Sequence, residues 1–133
     1  MNWKNWMSAA CAVLSMVGVP IDQALADVVR PSVALLRAPP GSTLEQVRWG
    51  DRVFHGEAAG GKCSVCHGAD AKGTANGNDL TLGIWIWSDG SYASLKAIIH
   101  HNMSVAPGMD GDLTPSDVDA VAAYVWALGH HQP

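Results

Sequence analysis

The chain has 133 residues, 48% hydrophobic and 15% charged, with eight Lys and Arg against twelve Asp and Glu for a formal net charge of −4. That length holds one domain with one modest core, and the acidic balance argues against nucleic acid as a partner, since that would call for a basic face. The charge does tolerate docking on a basic protein surface, although it names no partner by itself.

Residues 1–26 read as a cleaved signal peptide. Lys4 supplies one early positive charge, Met7 to Val19 is an uncharged and mostly apolar run, and Ala24-Leu25-Ala26 offers small residues at a cleavage point before Asp27. The apolar run is too short to span a bilayer, so the expected product is exported, periplasmic and without a stable membrane anchor. Cleavage would remove Cys11, whose setting Ser8-Ala9-Ala10-Cys11 is a poor lipoprotein site, and would leave two cysteines. Losing Lys4 and Asp22 leaves seven Lys and Arg against eleven Asp and Glu, so the net charge stays at −4.

Residues 27–41 carry three prolines and end in Ala38-Pro39-Pro40-Gly41, which predicts an extended leader over the surface of a domain at 42–131. A helix is expected from Ser42 or Thr43, with Glu45 and Gln46 placed for a capping box. Its apolar side is Leu44, Val47, Val53 and Phe54, with Gly50 among them. Gly68 to Gly83 reads as a loop. Ile84-Trp85-Ile86-Trp87 fits either a short strand or the wall of a pocket. Ser91 to about Asn102 reads as a helix with Tyr92, Leu95, Ile98 and Ile99 on a 3-4 spacing.

The last helix has the fullest signature. Thr114 is its N-cap, Pro115 its first position, and Asp117 the acid three residues after the cap. Val118, Val121, Ala122, Val125 and Leu128 form its buried stripe, and Gly129 ends it. Trp49 and Trp126 read as packing residues. His55, His130 and His131 read as solvated surface histidines. Asp110, Asp112, Asp117 and Asp119 read as a cap and an exposed face.

Chemistry centres on Cys63-x-x-Cys66-His67. A structural zinc site needs four ligands. The adjacent pair His100-His101 cannot easily supply two of them, because neighbours on a helix point about 100° apart. A thioredoxin-like disulfide calls for a βαβ setting, which the pattern lacks. Covalent haem attachment fits: two thiols add to the two vinyl groups of one porphyrin, and His67 becomes the proximal iron ligand. A buried haem also supplies apolar area that a loop-rich chain lacks.

From about Ser42 to Gly129 the chain resembles a class I cytochrome c domain of the small exported bacterial kind. The likeness rests on Gly50-x-x-x-Phe54 before Cys63-Ser64-Val65-Cys66-His67-Gly68, and on Val121-Ala-Ala-Tyr124-Val125-Trp126 near the end. The resemblance implies an all-α fold of three to four helices with long loops wrapped around one covalent haem c. It further implies that the first and last helices cross near Gly50, with Phe54 and Tyr124 packed together. The segment around Trp85 and Trp87 is similar to one that lines the haem edge in cytochrome subunits of bacterial oxidases and dehydrogenases. Both indoles are therefore candidate haem-binding residues.

Related domains present Met-Pro before the last helix, where this chain has Ala106-Pro107. Met109, three residues on, becomes the first candidate for the sixth iron ligand. Met103 is the second, and His100 or His101 would give two imidazoles. The implied function is one-electron transfer between a dehydrogenase or bc-type complex and a terminal oxidase or reductase, as a free carrier or as the cytochrome subunit of an enzyme. A haem with an open distal site that binds small ligands is the alternative.

Overall fold

The computed structural model describes residues 30–105 and 112–131. The expected signal peptide and Met109 lie outside the described residues. Among those described, the chain forms one 3-10 turn, Val33–Leu35, four α-helices and no strand. The helices are α1 Leu44–Phe54, α2 Cys63–His67, α3 Tyr92–Val105 and α4 Pro115–Gly129. The all-α expectation holds. None of the described helices is long and apolar enough to cross a membrane.

Helix α1 starts at Thr43, whose hydroxyl accepts the Gln46 amide at 3.1 Å. The Gln46 side chain does not close a capping box. It accepts from Ser42 Oγ at 2.8 Å and donates to the Tyr92 hydroxyl at 3.2 Å, which ties α1 to α3. Helix α4 does carry the full box, with Thr114 and Asp117 each bonded to the other's backbone amide. Such a cap contributes about 0.5–2 kcal/mol.

The core is the crossing of α1 and α4. A Cβ on Gly50 would stand 1.9 Å from the Ala120 carbonyl oxygen and 3.0 Å from Tyr124 Cβ, so only glycine permits this approach. Val47, Val53, Phe54 and Tyr124 are fully buried around it. The Phe54 and Tyr124 rings meet edge to face at 5.4 Å, a pairing worth about 0.5–1.5 kcal/mol beyond area burial. Helix α4 is buried on nearly every side from Asp117 to Gly129, well beyond the expected stripe. Residues before α1, α3 and the loop after α2 cover the faces that α1 leaves open.

Of the two readings of Ile84–Trp87 the strand falls away, and the reading of His55 needs correction. Ile84–Trp87 forms no strand, because β-prone residues gain nothing without a partner strand to pair with. His55 is not a solvated surface residue. Its side chain is only 8% exposed, and both ring nitrogens face oxygen atoms.

The segment before α1 is fastened at both ends. Arg30 makes two bonds to the Asp51 carboxylate, Nε to Oδ1 at 2.9 Å and Nη2 to Oδ2 at 2.5 Å, and also pairs with Glu57. Further along, Leu36 and Pro39 are buried.

Candidate haem-binding site

Helix α2 is five residues long and consists of the motif itself, Cys63-Ser-Val-Cys66-His67. A helix this short is not stable alone, so the chain after it supplies what it lacks. Three of its last four carbonyls are met. The Gly68 amide donates to Ser64 O at 2.8 Å, the Gly73 amide to His67 O at 2.8 Å, and the Thr74 hydroxyl to Cys66 O at 2.5 Å. Gly77 then lies directly against the turn, where a Cβ would fall 2.6 Å from Cys66 O. The glycine-rich loop is therefore the clasp of the motif.

Both cysteines are free thiols and half-buried. Burial pushes the Cys63 thiol above its ordinary value. Spaced three apart on one helical turn, the two sulfurs project from the same side. His67 follows, and its Nδ1 lies 2.9 Å from the Asn78 carbonyl oxygen. A carbonyl only accepts, so Nδ1 carries the proton, and in the neutral ring Nε2 keeps its lone pair. That is the arrangement of a metal-binding imidazole whose other nitrogen is held by a backbone acceptor. Phe54 lies behind it, 6.4 Å between ring centroids.

Fit to a haem is tested by the large apolar side chains that the chain leaves uncovered. Val65 within α2 is 74% exposed, and Ile84, Ile86 and Trp87 are 67%, 77% and 84% exposed. Leu82 and Val105 are exposed as well. Large apolar side chains left uncovered on the motif helix and on the segment 82–87 are what a porphyrin plate would bury. In α3 only Leu95 is fully buried; Ile98 and Ile99 remain half-covered. The two thiols and the imidazole nitrogen match the chemistry of haem c attachment, and the residues fit the group.

Trp85 packs on the core between Gly90 and Gly129, within 3 Å of where a Cβ on either glycine would stand. Its indole N–H makes no hydrogen bond among the described residues. Trp87 is almost fully exposed. His100 is engaged elsewhere: Nε2 lies 3.2 Å from the Asp119 carboxylate on α4, which also pairs with Lys96 at 3.3 Å. His101 is exposed, and Met103 is half-covered near the end of α3. Met109 lies outside the described residues.

Sequence reasoning missed two sets of contacts near the site. One is the Arg30, Asp51, His55 group beside Phe54 and Tyr124. The other is the Trp49 indole, which donates to Asp117 Oδ1 at 2.7 Å and so links α1 to the cap of α4. Among the described residues, no group of three or more His, Cys, Asp and Glu could hold a metal ion. Shallow clefts of about 550 and 350 Å³ share Pro40, Trp126 and His130 and involve none of the motif residues.

A helical scaffold crossed at a glycine, carrying two thiols and an oriented imidazole on one turn, defines a protein of the covalent-haem class. Residues 50–129 match the cytochrome c family, and the chain belongs to it. Relatives include the FixP subunit of the cbb3-type cytochrome c oxidase of Bradyrhizobium sp. (strain ORS 278), 34% identical over 85 residues, 59% of this chain and 29% of that protein. The corresponding FixP of Azorhizobium caulinodans is 30% identical over 110 residues, 81% of this chain and 34% of that protein. The CcoP subunit of Cereibacter sphaeroides is 30% identical over 69 residues, 50% and 24% of the two chains. This chain thus spans about a third or less of the length of these curated relatives. No solved structure matches it.

Proposed function

We propose that the chain is a one-electron carrier with a single haem c, joined to Cys63 and Cys66 and ligated through His67 Nε2. The observation that carries this reading is the set of three donors on one five-residue helix, with His67 Nδ1 already committed to Asn78. When bound, the haem supplies the redox chemistry, a reversible one-electron change at iron. The protein's part is to hold the imidazole at a fixed angle and to exclude water with Phe54, Ile98 and Ile99. A carrier needs no substrate cavity and no acid or base, so no catalytic residue is assigned. We assign the sixth ligand to Met109, which stands three residues after the place where related domains carry Met-Pro, ahead of Met103 and His101; His100 Nε2 already lies against the Asp119 carboxylate. Trp85 and Trp87 are proposed to line the haem edge, Trp85 as a fixed wall and Trp87 as a side chain free to fold over it.

The relatives are named as subunits of cbb3-type cytochrome c oxidases, which favours a terminal oxidase as the electron acceptor over the other partners considered. We place the protein in the periplasm after cleavage before Asp27, with 27–41 as a leader and 42–131 as the cytochrome domain. Potentiometric titration of the purified holoprotein should follow one single-electron curve, and the reduced protein should pass electrons to a cbb3-type oxidase. Two redox waves would refute the single haem, and failure to reduce the oxidase would refute this partner.

A further inference from the structure

A buried polar group beside the candidate haem site is not used by the reading above. His55 is the C-cap residue of α1. Its Nδ1 lies 2.8 Å from the Asp51 carbonyl oxygen and 3.1 Å from Asp51 Oδ1, and its Nε2 lies 2.8 Å from the Ala69 carbonyl oxygen. Every one of these partners accepts, and none can donate while Asp51 is ionised. A neutral imidazole has one donor and one acceptor nitrogen, so it would set a lone pair against an oxygen at one end. Only the doubly protonated ring satisfies both ends.

The surroundings balance that charge. Asp51 and Glu57 bring two negative charges, and Arg30, bonded to both, brings one positive. A cationic His55 makes the group neutral. A neutral His55 would leave a net negative charge in a place where Asp51 and the imidazole are nearly buried. From α4, Tyr124 faces the imidazole at 6.1 Å between ring centroids, its buried hydroxyl near Asp51 but in no hydrogen bond of ordinary geometry. From the loop after α2 the Ala69 carbonyl bonds to the imidazole. The neighbouring Asp70 carboxylate accepts the Lys72 amide at 3.1 Å. Burial alone would lower the His55 pKa, but the bonds to Asp51 and to the two carbonyls overcome it and raise it.

Ala69 stands two residues after His67, so His55 spans the end of the first helix and the loop that leaves the iron ligand. We infer that His55 is a proton-sensitive positioning residue of the haem site: as an imidazolium it latches the loop after His67 onto α1 and couples the redox potential to pH. The inference rests on the proposed attachment of haem at His67. Reduction by one electron from a partner or an electrode lowers the positive charge near His67 and favours the protonated ring. A neutral His55 then takes one proton from solvent as the electron arrives. The potential should therefore fall as pH rises through the titration of His55.

The test starts from the isotopically labelled holoprotein, with one covalent haem first established by intact mass, so that failure of the attachment shows at that step. In the reduced protein at pH 7, long-range nitrogen–proton spectra should show both His55 nitrogens protonated. A nitrogen without a proton at that pH overturns the inference. The potential of the wild type should bend at the pH where these resonances titrate. His55→Gln should remove that bend, and Asp51→Asn should move it down by about one pH unit or more. An unchanged profile in His55→Gln overturns the coupling. Should either variant fail to hold haem, the wild type still decides: coincidence of the two titrations supports the coupling, and separate ones contradict it.

Discussion

At the scale of single residues, the polar groups of the core make definite demands. The Tyr124 hydroxyl is buried without a hydrogen bond of ordinary geometry, and burial together with the Asp51 charge raises its pKa far above the phenol range. Tyr124→Phe keeps the ring against Phe54 and removes an unmet hydroxyl. It should therefore change stability by less than about 1 kcal/mol in either direction; a loss of more than about 2 kcal/mol would show that the hydroxyl has a partner. Asp117 behaves oppositely. The Thr114 hydroxyl and then the Trp49 indole hold its carboxylate below the ordinary 3.8. A depressed folded pKa stabilises the fold above the unfolded value, and that contribution is lost as pH falls through the folded one. The thermal midpoint should decline in acid below about pH 4, and Asp117→Asn should start lower at pH 7 and decline less. An identical acid slope in both proteins would contradict this. Met109 is tested by spectroscopy: the oxidised protein should show a weak sulfur-to-iron band in the far red, absent in Met109→Ala and retained in Met103→Ala. Retention in Met109→Ala would remove it as the ligand. Polar contacts of this kind were partly hidden in the sequence. His55 reads as a surface residue because one of its partners is a backbone carbonyl, Ala69, and no residue type marks a carbonyl that will be reached from fourteen positions away.

At the scale of elements, legibility followed the locality of the signal. The start of α4 was readable because Thr114, Pro115 and Asp117 act within its first turn, and the helix does stop at Gly129, although the cap residue is His130. The capping box of α1 was not, because Gln46 is drawn off by Ser42 and by Tyr92, forty-six residues away. Ile84–Trp87 carries β-prone residues, yet strand formation depends on a partner that the local sequence does not reveal. The crossing of α1 and α4 was legible as Gly50 and its aromatic companions, although the backbone that comes closest is Ala120 and not Tyr124. Gly50→Leu places three more carbons beyond a Cβ that already collides with a carbonyl. It should cost about 1–3 kcal/mol or more by forcing the helices apart. A thermal midpoint equal to wild type would mean that the two helices do not meet there.

At the scale of the whole molecule, the fold is organised about a cofactor that the chain alone does not replace. The core of α1 and α4 is closed and well packed, whereas α2, the segment 82–87 and one side of α3 present apolar surface. Five residues of motif sequence named the group that covers such a surface, because two thiols and a histidine at that spacing suit few other tasks. The role of Trp85 was less legible, since an indole that lines a pocket and one that packs on Gly129 have the same local sequence. The Cys63→Ala, Cys66→Ala double variant should accordingly lose its haem and fail to accumulate. The measurement that tests the account most directly is the intact mass of the purified wild-type protein after denaturing acid extraction. The mass should equal one polypeptide plus one haem. Release of free haem from the wild type, leaving a bare polypeptide, would contradict the attachment on which the account stands.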